Sequence, residues 1–192
     1  MADNITLILG CMNSGKTSTL LTHARKRELI GSKVLYLKSS KDDRYDDKKD
    51  PAIVTHDGIR RKCILIDTIS PDIEKMIEEN DVTVIDEFQF LPDEVVDIIE
   101  KWADKGKIFI IAGLDSTSDR TAFPIISKIF PKAGDKHFET ALCLDCKGTA
   151  CFSSKLVKND LIIDVGGADK FKSTCRNCYV RNIKKLEKQL KG

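Results

Sequence analysis

The sequence has no long hydrophobic run. Its apolar stretches, such as residues 5–9 (ITLIL) and 107–112 (KIFIIA), end after a handful of positions, whereas a helix that crosses a bilayer needs roughly 20 apolar residues. No membrane span is expected. The N-terminal run leads at once into a glycine-rich loop and does not read as a secretory signal. Excess charge is also missing: 32 Lys and Arg face 30 Asp and Glu, for a formal net charge of +2. No broad field draws such a chain to nucleic acid or to an anionic surface. Internal repeats and low-complexity tracts are lacking too. The expectation is a cytoplasmic protein whose thiols stay reduced.

What is present describes an ordinary folded chain. Its 192 residues, 41% hydrophobic and 32% charged, fit one main domain with an appendage. Strand and helix signals alternate. Residues 5–9 read as a buried strand, a helix runs from Lys16 to about Ile30 and stops at Gly31, and residues 34–37 form the next strand. Residues 64–66 form a third apolar run, Ser70 and Pro71 start a helix, and residues 82–86 (VTVID) form a strand ending in an acid. Val95, Ile98, Ile99 and Trp102 have helical spacing within 91–104, and 107–112 is another buried strand. This order predicts an α/β fold, a mostly parallel sheet flanked by helices, with ligands at the carboxyl ends of the strands, and the glycine-rich GCMNSGKT at residues 10–17 makes it one of the P-loop NTPase kind. Residues 39–62 are polar and predicted to be a long loop. The pattern changes near residue 136. The division expected is an ATP-binding domain over 1–136 and a small cysteine-bearing unit over 137–192, whose basic end (RNIKKLEKQLKG) reads as a solvated helix end.

GCMNSGKT, residues 10–17, has the form GxxxxGK[ST] between a strand and a helix. Gly10, Gly15, Lys16 and Thr17 have the spacing that lets backbone N–H groups and a helix N-terminus surround phosphate oxygens, with Lys16 on the terminal phosphates and the Thr17 hydroxyl on Mg²⁺. Such a site needs an acid at the end of a neighbouring strand, and Asp86 meets that requirement. Glu87 follows it, either as a base that accepts a proton from the attacking hydroxyl or as an acid that only orients the metal. Kinase and ATPase both use these parts.

Four of the seven cysteines form two CxxC pairs, Cys143 with Cys146 and Cys175 with Cys178. Four thiolates at this spacing suit tetrahedral Zn²⁺ in a closed structural site, the alternatives being disulfides or a nucleic-acid-binding ribbon. The metal would pin the base of a loop over about 147–174. Cys63 and Cys151 read as buried or idle thiols, and Cys11, inside the phosphate loop, as a site of sensitivity to thiol reagents.

The blocks GCMNSGKT (10–17), KDDRY (41–45), THDG (55–58), DEFQF (86–90), GLDSTSDRTAF (113–123), CLDC (143–146) and GGADKFKSTCRNCY (166–179) together resemble the cytosolic-type (type II) thymidine kinases over nearly the whole chain. The resemblance implies transfer of the γ-phosphoryl group of ATP to the 5′-hydroxyl of deoxythymidine, with Glu87 as general base. It places ATP against Gly10, Cys11, Met12, Asn13, Ser14, Gly15, Lys16 and Thr17, against Asp42, Asp43 and Arg44, and against Asp86, Glu87, Phe88 and Gln89, with Mg²⁺ at Thr17 and Asp86. Met12, Phe90, Leu114 and Phe123 match apolar positions beside the base. Ile162, Ile163, Asp164, Val165 and Gly166 match a lasso that covers the base and reads it through main-chain groups. Ser118 stands where an aromatic residue is common, and Phe171 where a tyrosine hydroxyl reaches the nucleoside. The resemblance also implies a homotetramer and feedback inhibition by thymidine triphosphate, while the near-neutral charge points away from a nucleic-acid partner.

Overall fold

The structure is a computed structural model that describes residues 4–42, 50–156 and 170–189. Its centre is a six-stranded sheet built from β1 (Ile5–Gly10), β2 (Val34–Ser39), β5 (Ile64–Ile66), β6 (Val82–Asp86), β7 (Ile108–Leu114) and β8 (Asp135–Glu139), in the order β5-β2-β6-β7-β1-β8. Every pairing in it is parallel. Helices α1 (Lys16–Leu29), α2 (Pro71–Glu79), α3 (Val95–Asp104) and α4 (Pro124–Ile129) connect the strands. All residues of β1 and β6 are buried, which is why these strands read as continuous apolar runs: both faces of a parallel sheet are covered.

The two faces divide along the strands with period two. Leu7, Leu9, Ile85 and Ile111 face a core shared with Ile73 and Ile77 of α2, Val95 and Ile99 of α3, and Ile126 of α4. Ile8, Val84, Ile110 and Ala112 face the opposite core, filled by Leu20, Leu21 and Ala24 of α1. Helix ends follow local chemistry. Ser70 caps α2 by accepting from the Ile73 amide, and Gly31, at φ 88°, takes the left-handed turn that closes α1.

Three features differ from the sequence-based expectation. The polar segment 39–62 contains a hairpin, β3 (Ala52–Val54) against β4 (Arg60–Lys62). It is anchored by Ile53, fully buried in the α1-side core, and its three-residue strands are too short to show alternation among the surrounding charges. Helix α3 begins at Val95 rather than at 91; the residues before it form tighter turns closed by i→i+3 bonds, such as the Val95 amide to the Pro92 carbonyl at 3.1 Å. Strand β8 carries the sheet through residue 136 to Glu139.

Beyond β8 come two small antiparallel pairs, β9 (Ala141–Leu142) with β10 (Thr149–Ala150) and β11 (Phe152–Lys155) with β12 (Phe171–Thr174), then α5 (Arg176–Gln189). Both ends of the predicted 147–174 loop are thus strand. The Leu156 amide donates to the Lys170 carbonyl at 2.8 Å and extends the β11–β12 ladder. Ile162 to Gly166 lie outside the described residues, as do Asp43 and Arg44.

Candidate active site

Gly10 ends β1 where no side chain fits: a Cβ there would lie 2.2 Å from the Glu139 carbonyl oxygen and 2.8 Å from Ser14 Oγ. Asn13 (φ 59°) and Gly15 (φ 87°) take left-handed conformations that curl the loop into the start of α1. Lys16 Nζ lies across the loop, donating to the Cys11 carbonyl at 2.7 Å and to Ser14 Oγ at 3.4 Å. Burial lowers the Lys16 pKa, while the carboxylates of Glu87, Asp86 and Asp115 oppose that shift. Cys11 is buried and its Sγ contacts the Ala150 carbonyl. Burial raises its pKa, which disfavours the thiolate that reagents would attack.

Parallel pairing brings the second half of the site alongside. Asp86, at the end of β6, accepts from the Thr17 hydroxyl at 3.4 Å. The start of α1 and the end of β6 thus meet through this hydroxyl and carboxylate. Burial and then the neighbouring Glu87 charge raise the Asp86 pKa, against the Glu87 amide, Lys38 and Lys16. Lys38, paired in register with Asp86, forms a buried ion pair with Asp42 at 2.8 Å.

Glu87 sits just past the strand with φ 53° and ψ 40°, a conformation non-glycine residues seldom adopt. Its amide donates to its neighbour Asp86 Oδ1 at 3.0 Å. The buried Gln89 side chain then bridges two elements: Nε2 donates to Glu87 Oε2 at 2.7 Å, and Oε1 accepts from the Leu114 amide at 3.0 Å. Gly113 leaves room for this bridge, since a Cβ there would lie 2.9 Å from Gln89 Oε1. Leu114 in turn pairs with Gly10. The carboxyl ends of β1, β6 and β7 are therefore linked through Gly10, Glu87, Gln89 and Leu114.

The remaining predicted residues are placed as follows. Phe88 is fully buried in the core beside α2–α4, so its side chain packs the fold. Phe123 is buried in the same core and Leu114 packs against it, while Phe90 is half-buried. Met12 and Phe171 are buried. The Ser118 carbonyl accepts from Tyr179 Oη at 2.6 Å, while its buried hydroxyl has no partner among the described residues. Sequence reasoning missed Lys38, the bridging geometry of Gln89, and two serines, Ser153 and Ser173, that bond the Met12 peptide. No spacing signal marks these serines.

The four CxxC cysteines converge, with their sulfurs all within 4.8 Å of one another. Cys146 and Cys175 Sγ are 3.6 Å apart, close to the roughly 3.8 Å edge that four Zn–S bonds of about 2.3 Å would set. The donor set fits zinc. Around it, the Cys143 amide bonds the Gly148 carbonyl at 2.7 Å and the Leu144 amide bonds the Ser173 carbonyl at 3.0 Å. Cys63 is half-buried and Cys151 exposed.

A family model described as "Thymidine kinase" matches residues 3–179. "Thymidine kinase 1" of Dictyostelium discoideum is 39% identical over 180 residues, covering 93% of this chain and 78% of that protein. The thymidine kinase of Myxoma virus (strain Lausanne) is 37% identical over 177 residues, 91% of this chain and 95% of its own. That of Vaccinia virus (strain Ankara) is 35% identical over 177 residues, 92% and 97% respectively. Among solved structures, Bacteroides Pif1 bound to ssDNA overlaps with a TM-score of 0.37 at 14% identity, covering 71% of this chain and 38% of that one, too slight a likeness to argue from. Matched along nearly its whole length, the chain belongs to the thymidine kinase family.

Proposed function

We propose that the cleft at the carboxyl ends of β1, β6 and β7 aims the γ-phosphoryl group of ATP at the 5′-hydroxyl of deoxythymidine, with Glu87 as the general base. Membership in the family makes the chain an enzyme that phosphorylates thymidine to its monophosphate. The observation that carries the residue assignment is the convergence of Lys16, Thr17, Asp86 and a tethered Glu87 at adjoining strand ends.

In this reading the loop from Gly10 to Thr17 binds the phosphates through backbone N–H groups and Lys16 offsets their charge. Thr17 and Asp86 are the residues to hold Mg²⁺, which when bound supplies charge neutralisation across the β- and γ-phosphates. Glu87 accepts the proton of the 5′-hydroxyl as that oxygen attacks phosphorus, and Gln89 fixes the direction from which it does so. Asp42, held by Lys38, belongs to the phosphate side together with Asp43 and Arg44. Met12, Phe90, Leu114, Ser118, Phe123 and Phe171, with residues 162–166, form the nucleoside side. The cysteine cluster fits structural Zn²⁺ and adjoins the β11–β12 pair, Cys175 directly following β12. A homotetramer, feedback inhibition by thymidine triphosphate and a cytoplasmic location complete the proposal and rest on family membership alone. No helix among the described residues is long and apolar enough to cross a membrane.

The test is ADP release with and without thymidine. Release that depends on thymidine and falls by about 10³-fold or more in Glu87→Gln, with ATP-analogue binding kept, supports the assignment. Full activity in that variant removes Glu87 as the base. Release stimulated by DNA instead of thymidine removes the reading as a whole.

A further inference from the structure

Two consecutive peptide planes of the phosphate loop are held by side chains from outside it. The Met12 amide donates to Ser153 Oγ at 3.0 Å, and the Met12 carbonyl accepts from the Ser173 hydroxyl at 2.8 Å. Ser173 Oγ also accepts from the Asn13 side-chain amide at 3.4 Å, next to the left-handed turn at Asn13. The two serines are cross-strand partners in the β11–β12 pair. They are 6% and 0% exposed. A cross-strand pair thus places two hydroxyls side by side, one accepting and one donating, against the N–H and C=O of a single residue.

We infer that Ser153 and Ser173 are positioning residues that fix the phosphate loop in its anion-binding shape before nucleotide arrives. The Met12 N–H, spent on Ser153, is withdrawn from the phosphates, leaving the amides after it and the start of α1 to bind them. The loop's internal bonds, Lys16 to Cys11 and Ser14, are replaced when Lys16 turns to phosphate. The serine contacts come from elsewhere in the fold and persist. A loop shaped in advance costs less to order on binding, so the clamp acts on ATP affinity. The inference rests on the phosphate-loop assignment proposed above.

The test compares single variants by calorimetry with a non-hydrolysable ATP analogue and Mg²⁺, and by steady-state kinetics. Ser153→Ala and Ser173→Ala each raise the Kd and the KM for ATP by about 5- to 30-fold, as expected when a buried bond is lost and its partner left unpaired, while kcat changes by less than about 3-fold. Ser173→Thr, which keeps the hydroxyl, recovers most of the affinity. Ser154→Ala is the control. It loses a buried hydroxyl bond to Thr174 (2.7 Å) in the same hairpin without bonding the loop, and its Kd stays within about 2-fold of wild type. Equal effects from Ser154→Ala and Ser153→Ala, or no effect from either clamp variant, overturn the inference. Lys16→Ala separates the two levels: if it too leaves the Kd unchanged, the phosphate-loop assignment has failed. If the alanine variants do not fold, the wild-type protein still decides. After uniform ¹⁵N labelling, a Met12 amide slow to exchange and little shifted by the analogue agrees with the clamp, and one that exchanges freely or shifts as far as the Lys16 amide refutes it.

Discussion

Gln89 spends both ends of its amide inside the protein, one on the proposed base and one on the backbone of β7. Gln89→Leu keeps the volume but removes both bonds, taking the side-chain acceptor from the Leu114 amide and the Gln89 bond from the Glu87 carboxylate. We expect kcat to fall by about 10- to 100-fold with the KM for ATP nearly unchanged, because a small misplacement of a base acts on the transition state more than on the ground state. An equal fall in ATP affinity would show instead that the variant disturbs the whole site. Ser118 offers the opposite experiment. Its buried hydroxyl lacks a partner among the described residues, so Ser118→Ala should raise thermal stability, by about 1 kcal/mol, because an unpaired buried polar atom is costly. A loss of stability would mean that the hydroxyl is used.

Elements are joined by a few polar contacts laid over the apolar cores. Glu74 of α2 accepts from Trp102 Nε1 of α3 at 2.9 Å and pairs with Lys101. Lys101 first and Trp102 second hold the Glu74 carboxyl below its ordinary value of 4.5. A carboxyl depressed in the folded state adds stability that is fully present above its unfolded pKa and is lost as the pH falls through the folded one. Wild type should therefore exceed Glu74→Gln in Tm above about pH 5, with the gap closing toward pH 3. A gap that widens in acid would contradict the sign. The β11–β12 pair shows what sequence reading loses at this scale. Ser153, Ser154, Ser173 and Thr174 are all buried, so neither strand displays the apolar alternation by which half-buried strands are recognised. Strands β1, β6 and β7 were legible because continuous burial demanded continuous apolar runs.

At the scale of the whole molecule, the parallel α/β sheet and the cysteine cluster were readable because each depends on spacing: alternation of elements in one case, paired CxxC in the other. The adjacency of the 10–17 loop and Asp86 was readable for the same reason. Lys38, Ser153 and Ser173 were not, because they reach the site only through pairing between segments far apart in the chain. The cluster ties these distances together: Cys175 directly follows β12, and the Leu144 amide bonds Ser173. Stripping the zinc proposed for the cluster with a strong chelator should lower Tm by about 10 °C or more, since metal binding in a thiolate site contributes directly to folding free energy. Cys146→Ser should mimic the chelator and make it redundant. An unchanged Tm after verified metal loss would reduce the cluster to a passive thiol group.

The backbone at position 87 has a wider consequence. A glutamate held at positive φ costs of order 1 kcal/mol or more that glycine there would not. Glu87→Gly relieves that strain but takes the acceptor from the buried Gln89 amide, a loss of similar size, so a library screened only for heat resistance should gain little at this position. A strained backbone is thus tolerated where its carboxylate is bonded, and under the proposed assignment of Glu87 as the base, selection for the reaction keeps that carboxylate in place.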